Sequence, residues 1–223
     1  MKKLVFLSAV LFAAAAATQA EDSAPAAEPA PLSRFSLGAH LAYWHVEDLD
    51  EFDINGALGG GVVGQFQLHD RLALELRLAG FAAGDSEDIH VEGEGWYEYE
   101  TTIVAMPMEI GLVGFLPLGG SVRLYGGGGA GFYLFDSQFR VEQGPQETTY
   151  DIEIDDEGGL YALLGLQVRL ARNVALFAEG KYTWVETSVE SPIAFMERIG
   201  LTDIRRDLDF SGLAIEAGML FTF

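Results

Sequence analysis

The sequence predicts an all-β fold: an eight-stranded antiparallel up-and-down barrel that crosses a membrane. Three observations carry that expectation. The chain opens with an export signal, and the remainder alternates polar and apolar residues with period two in eight segments. The connections between those segments are alternately tight and long.

Residues 1–20, MKKLVFLSAVLFAAAAATQA, carry Lys2 and Lys3, an apolar run over 4–17 and small residues ending at Ala20. That is the pattern of a secretory signal peptide cleaved after Ala20, and the run falls short of the roughly 18 residues of a spanning helix. Residues 21–33 are Pro/Ala-rich and read as a flexible leader. Residues 34–223 suffice for one domain. The chain has no cysteine, so no disulfide stabilises it. No later segment is long and apolar enough for a membrane helix, so a membrane location requires a closed barrel.

Strands are expected over 34–45, 57–69, 71–83, 97–116, 121–136, 159–171, 173–187 and 209–223. Residues 72–78, LALELRL, show the pattern, with Leu at each even position and Ala, Glu and Arg between. HDR (69–71), PLGGS (117–121) and ARN (171–173) are tight turns, whereas 46–56, 84–96, 137–158 and 188–208 are long and polar. This alternation puts every tight turn, and both ends of the barrel region, on one side. Transmembrane barrels have the same asymmetry, with short periplasmic turns and long external loops. One parity is apolar, as in Phe35, Leu37, Leu41 and Tyr43 or Leu213, Ile215, Met219 and Phe221, and suits lipid. The other is small or charged, as in Ser36, Gly38 and His40 or Ala73, Glu75 and Arg77. A crowded interior with paired charges wants those residues, whereas a soluble barrel would show more Lys, Thr and Glu on its outer face.

The region 34–223 resembles the eight-stranded outer-membrane barrels of Gram-negative bacteria, the OmpA-like and OmpW-like group. PMEIGLVGFLP (107–117) followed by VRLYGGGGAGFY (122–133) is similar to that family's central hairpin, with its Gly-rich fifth strand. EAGMLFTF (216–223) places Glu216, Gly218, Phe221 and Phe223 at the positions of the family's assembly signal. The resemblance implies a bacterial outer-membrane location, contact with outer-membrane lipids and lipopolysaccharide, and recognition by the barrel-assembly machinery. From the OmpW-like group it implies an alternative role, a narrow channel for small hydrophobic or cationic solutes.

The formal charge is −21, which disfavours nucleic acid as a partner. Twenty-six of the 34 acidic residues fall in the external loops and strand extensions, against Arg140, Arg198, Arg205 and Arg206. Nearly the whole negative charge therefore sits at the outer end, where divalent cations would compensate it. The acidic run 151–157 offers Asp151, Glu153 and Asp155 as metal ligands, but its spacing does not fit an EF-hand loop. A solvated strand extension is the expectation there. Residues 192–199, preceded by Ser191 and followed by Gly200, read as a short helix.

Counting from the periplasmic edge, His40, Arg77 and Glu179 lie at one depth, with Lys181 two residues further along its strand. Glu109, eight before Pro117, and Glu216, seven before Phe223, fall at the same level. Charges near the bilayer middle must be paired. The expectation is a cross-barrel network in which Arg77 and Lys181 bridge Glu75, Glu109, Glu179 and Glu216. It would act as a plug rather than as a gate titrated through His40. The glycine run 126–129 leaves wall against which Tyr133 or Trp44 would pack, or a small cavity.

No cofactor and no enzymatic activity are expected. His45, Asp209 and Ser211, read as outward-facing at the rims of the first and last strands, are the one set with a hydrolase composition, and they leave a lipid-modifying enzyme as a remote alternative. The reading as a whole is a monomeric, non-enzymatic barrel presenting acidic extracellular loops for envelope structure, adhesion or surface interaction.

Overall fold

A computed structural model describes residues 34–46, 56–91, 95–143, 146–190 and 205–223. The expected signal peptide, the leader and the helix expected over 192–199 lie outside these residues. Among the described residues eleven strands form: β1 (Phe35–Val46), β2 (Ala57–His69), β3 (Leu72–Val91), β4 (Gly95–Gly119), β5 (Val122–Gln143), β6 (Gln146–Ile154), β7 (Glu157–Ala171), β8 (Val174–Trp184), β9 (Glu186–Glu190), β10 (Arg205–Asp209) and β11 (Gly212–Thr222). Eight of them close a ring in the order β1-β2-β3-β4-β5-β7-β8-β11. Closure is made by β11 returning to β1, from Ser36 opposite Thr222 to Val46 opposite Gly212. Every pairing is antiparallel, and the eight-stranded barrel satisfies its backbone donors and acceptors around the ring.

The tight turns are at Asp70-Arg71, Gly120-Ser121 and Arg172-Asn173, all at one end. The turn between β4 and β5 depends on two glycines with positive φ, Gly119 at 127° and Gly120 at 53°, where a Cβ would be strained. Along each ring strand, buried and exposed residues alternate. In β8 every second residue from Ala175 to Thr183 is buried, and in β1 Gly38, His40, Ala42, Trp44 and Val46 face in. The outward parity leaves Leu41 at 77 % and Leu58 at 71 % exposure, within a belt of Leu, Ile, Met and Phe that runs round the ring. Such a belt is far larger than the apolar patches water-soluble surfaces keep, and its solvent is lipid.

Beyond the belt, the strands continue past the expected boundaries. The segment 84–96, expected as a long loop, is mostly hairpin: β3 and β4 stay in register to Val91 opposite Gly95. Likewise β5 and β6 pair from Ser137 opposite Ile152 to Gln143 opposite Gln146, inside the expected loop 137–158. In the expected loop 188–208, β10 pairs with β9 from Arg205 opposite Glu190 to Asp209 opposite Glu186. The physical reason is that strands standing in water on both faces need no apolar parity, so the period-two signal stops although the hydrogen-bonded ladder does not.

Three strands are interrupted above the belt, at 155–156, at 185 and at 210–211. Side chains stitch the breaks. The Phe135 amide donates to Asp156 Oδ1 at 3.0 Å, the Val185 amide to Ser211 Oγ at 3.1 Å, and Thr187 Oγ1 to the Asp155 carbonyl at 2.6 Å.

The interior is layered. An outer apolar layer holds Trp44, Phe81, Phe135, Val185 and Phe210 among small alanines. A periplasmic layer holds Val63, Val113, Phe115, Tyr125, Phe177 and Leu220. Between them lies the charged layer.

Candidate functional site: a charged layer across the lumen

Four strands supply the carboxylates and cations. Glu75 and Arg77 come from β3, Glu109 from β4, Glu179 and Lys181 from β8, and Glu216 from β11; His40 joins them from β1. All seven are at most 5 % exposed. Arg77 is directly opposite Glu109 in the sheet, yet its guanidinium reaches elsewhere. Its Nε donates to Glu75 Oε1 at 2.7 Å, and its Nη1 donates to Glu179 Oε1 and to Glu216 Oε2, the latter at 2.9 Å. Lys181 runs the other way, with Nζ 2.8 Å from Glu109 Oε2, 3.0 Å from Oε1 and 3.1 Å from Glu216 Oε1. The two cations thus cross the lumen in opposite senses and tie β3 and β4 to β8 and β11.

Four carboxyl groups face two basic side chains. Neutral donors meet the second oxygens of Glu75 and Glu179 and share Glu109 Oε1 with Lys181, whereas among the described residues Glu216 Oε1 has only the ion contact with Lys181. Gln65 Nε2 donates to Glu75 Oε2 at 2.7 Å, Tyr125 OH to Glu179 Oε2 at 2.6 Å and Tyr133 OH to Glu109 Oε1 at 2.8 Å. His40 Nε2 lies 3.2 Å from Glu216 Oε2 but off hydrogen-bonding geometry, and among the described residues its Nδ1 has no partner. Glu216 is the hub, shared by Arg77, Lys181 and His40.

Sequence reasoning did not single out Tyr125 or Tyr161, and it singled out Tyr133 only for packing. Each of these inward tyrosines leans over a glycine of another strand. A Cβ on Gly165 would stand 2.5 Å from Tyr125 Cζ, and one on Gly159 would stand 2.8 Å from Tyr133 Cε2. Tyr161 of β7 reaches further, across β5 to Gly111 of β4, which makes room for its hydroxyl; among the described residues that hydroxyl has no hydrogen-bond partner. Trp44, by contrast, packs edge-on to Phe81 with centroids 5.3 Å apart rather than on the β5 glycines. The usable signal was the shared inward parity of Tyr125 and Tyr133 on a strand otherwise rich in glycine.

This arrangement makes a direct prediction. Gly165→Val pushes Tyr125 off Glu179 and is expected to cost at least about 2 kcal/mol in urea unfolding of the refolded barrel. Gly180→Val is the control, because nothing but Leu213 Cδ1 at 4.0 Å lies near its outward face. Equal stabilities for the two variants would contradict the packing argument.

The other candidate residues are dispersed. Phe221 and Phe223 face outward at the periplasmic edge, Phe223 with its ring 6.3 Å from Phe35, while Gly218 turns inward beside His40 and Phe177. Asp155 is half-buried in the β6–β7 break, and the side chains of Asp151 and Glu153 lie outside the described residues. Ser211 corrects the expectation of an outward rim residue. It is 7 % exposed, its Oγ accepts the Val185 amide, and its own amide donates to Asp209 Oδ1 at 2.8 Å. Residues 210–212 depart from strand alternation and all turn inward, so parity does not carry across the break. His45 remains on the exposed face.

A closed antiparallel ring with a lipid-facing apolar belt, tight turns at one end and a buried ion network defines a transmembrane barrel of the bacterial outer membrane. The chain belongs to the outer membrane protein beta-barrel domain family, whose profile matches residues 4–221. Among solved structures it is similar to OprG from Pseudomonas aeruginosa, with 17% identity over 86% of this chain and 99% of that chain and a TM-score of 0.60. It is also similar to outer membrane protein W of E. coli, with 13% identity over 87% of this chain and 100% of that chain and a TM-score of 0.43. The attachment invasion locus protein Ail of Yersinia pestis, bound to a heparin analogue, gives 15% identity over 85% of this chain and 97% of that one, with a TM-score of 0.48. At such identities the likeness is one of fold. No curated protein matches the sequence.

Proposed function

We propose that this barrel is a closed, non-enzymatic stand that holds acidic outer hairpins at the cell surface, and that its charged layer is a plug. The observation that carries the reading is the completeness of the layer. Arg77, Lys181 and their four glutamates span the lumen at no more than 5 % exposure, with apolar layers above and below. Eight-stranded interiors are just wide enough for side chains to fill them, so a packed layer leaves no aqueous path. The acid-rich hairpins formed by β3–β4 and β5–β6 rise from this base, suited to cationic partners and to divalent ions that screen them from lipopolysaccharide phosphates.

Planar-bilayer recording tests the plug. The purified barrel is expected to show no unitary openings at neutral pH. Steady conductance steps that vanish on heat denaturation would replace this reading with that of a channel for small cationic solutes. A second reading, passage of small hydrophobic solutes, draws on the apolar outer layer around Trp44, Phe81 and Phe210. Uptake of an apolar tracer by cells carrying the barrel, reduced by Ala79→Phe within that layer, would favour it.

A further inference from the structure

At the periplasmic end the sign of the charge reverses. Arg34, Arg71, Arg123, Arg169 and Arg172 gather there, and Asp70 is the one acidic side chain among the turn and strand-end residues of that end. None of the five arginines forms an ion pair among the described residues. Arg123 is the most enclosed. Its Nε donates to Gln167 Oε1 at 2.9 Å, and its Cζ sits 3.9 Å over the Phe115 ring, on the floor of the periplasmic layer. Arg123 is opposite Gln167 in the sheet, and Arg169 is two residues beyond Gln167, on the same lumen-facing parity about 7 Å along the strand. The Arg169 amide is fixed to the Ser121 carbonyl at 2.8 Å, which holds the strand end against the β4–β5 turn.

Elsewhere in the lumen each cation has carboxylates, whereas here, among the described residues, two guanidinium groups share one face without any. Pinning Arg123 through Nε and its ring contact presents its two terminal nitrogens as a preorganised fork, the geometry that matches oxyanions. We propose that the periplasmic mouth is an oxyanion site with Arg123 and Arg169 as its binding pair and Arg34 and Arg71 at its rim, taking phosphate groups. A tetrahedral phosphate bridges two guanidinium forks and removes their mutual repulsion. Two sources offer that chemistry at this face: the headgroups of anionic phospholipids in the periplasmic leaflet and free phosphate in the periplasm.

The test uses the full chain folded into nanodiscs. In phosphatidylcholine discs, calorimetric titration with inorganic phosphate reads the free anion. In discs of equal phosphatidylcholine and phosphatidylglycerol, native mass spectrometry reads retained anionic lipid. A saturable phosphate isotherm supports the solute source, and preferential retention of phosphatidylglycerol supports the headgroup. In either arm Arg123→Gln with Arg169→Gln is expected to weaken the signal at least about tenfold, the loss of one charge-assisted bond or more. Arg140→Gln, at the outer end, should leave it unchanged. If the double variant does not fold, Arg169→Gln alone carries the test, since that side chain is exposed. No signal in either arm for the unmodified chain, or equal signals in the variants, overturns the site.

Discussion

Arg77→Met is expected to destabilise the folded barrel by about 3–5 kcal/mol, the cost of leaving buried charge without its partner. The substitution keeps most of the side-chain volume and removes the one group that touches three carboxylates, Glu75, Glu179 and Glu216. Gln65 and Tyr125 would each still hold one oxygen, on Glu75 and Glu179, and Lys181 would still face Glu216, but no cation would remain for Glu75 or Glu179. Lys181→Met should cost less, because Glu109 retains Tyr133 and Glu216 retains Arg77. Reversible urea unfolding in lipid vesicles, followed by the heat-modifiable mobility of the folded barrel, measures both. Adding Glu179→Gln to Arg77→Met should recover more than about 1 kcal/mol, since it removes one of the stranded charges. A loss below about 1 kcal/mol for Arg77→Met alone would contradict the argument, since it would mean that Glu75 and Glu179 do not depend on the cation between them.

The parts of this architecture that were readable in the sequence are those the bilayer imposes. Lipid on one face and a packed lumen on the other force period two, so the parity of Leu72, Leu74, Leu76 and Leu78 against Ala73, Glu75 and Arg77 assigns the faces by itself. Counting along the strands from the tight turns also puts Arg77, Glu109, Glu179 and Glu216 at one level, because the turns fix where each strand starts. That Arg77 and Lys181 would bridge these glutamates across the lumen was legible as well; which cation holds which glutamate was not. Sheet register puts Arg77 beside Glu109, but in so narrow a barrel an arginine spans the lumen, and it bonds Glu179 and Glu216 instead. The tyrosine-over-glycine contacts were hidden for a related reason. They join residues such as Tyr125 and Gly165, adjacent only once β5 and β7 are in register. Outside the bilayer both rules lapse, which is why the outer hairpins read as loops. For Ser211 the cause is the interruption of the strand at 210–211, which cancels the parity count.

Leu164→Arg and Leu170→Arg are expected to differ sharply although the two leucines are exposed alike, at 61 % and 59 %. Leu164 is opposite Gly180 in the sheet and next to Gly165, the register partner of Glu179, so it lies at the level of the charged layer on the outside of the wall. Leu170 is one residue from the end of β7, at the turn. If the apolar belt is solvated by lipid, an arginine at the level of Leu164 sits near the bilayer midplane and costs about 2–4 kcal/mol, whereas at Leu170 it reaches the headgroups and costs about 0–1 kcal/mol. Water around the belt would make both substitutions nearly neutral, since an exposed leucine loses little when replaced by a solvated cation. Unfolding free energies measured in phosphatidylcholine vesicles therefore read depth directly. Small and equal effects at the two positions would contradict the bilayer placement, and the same pair in detergent micelles should differ less, because micelles present a thinner and more deformable apolar layer than a bilayer does.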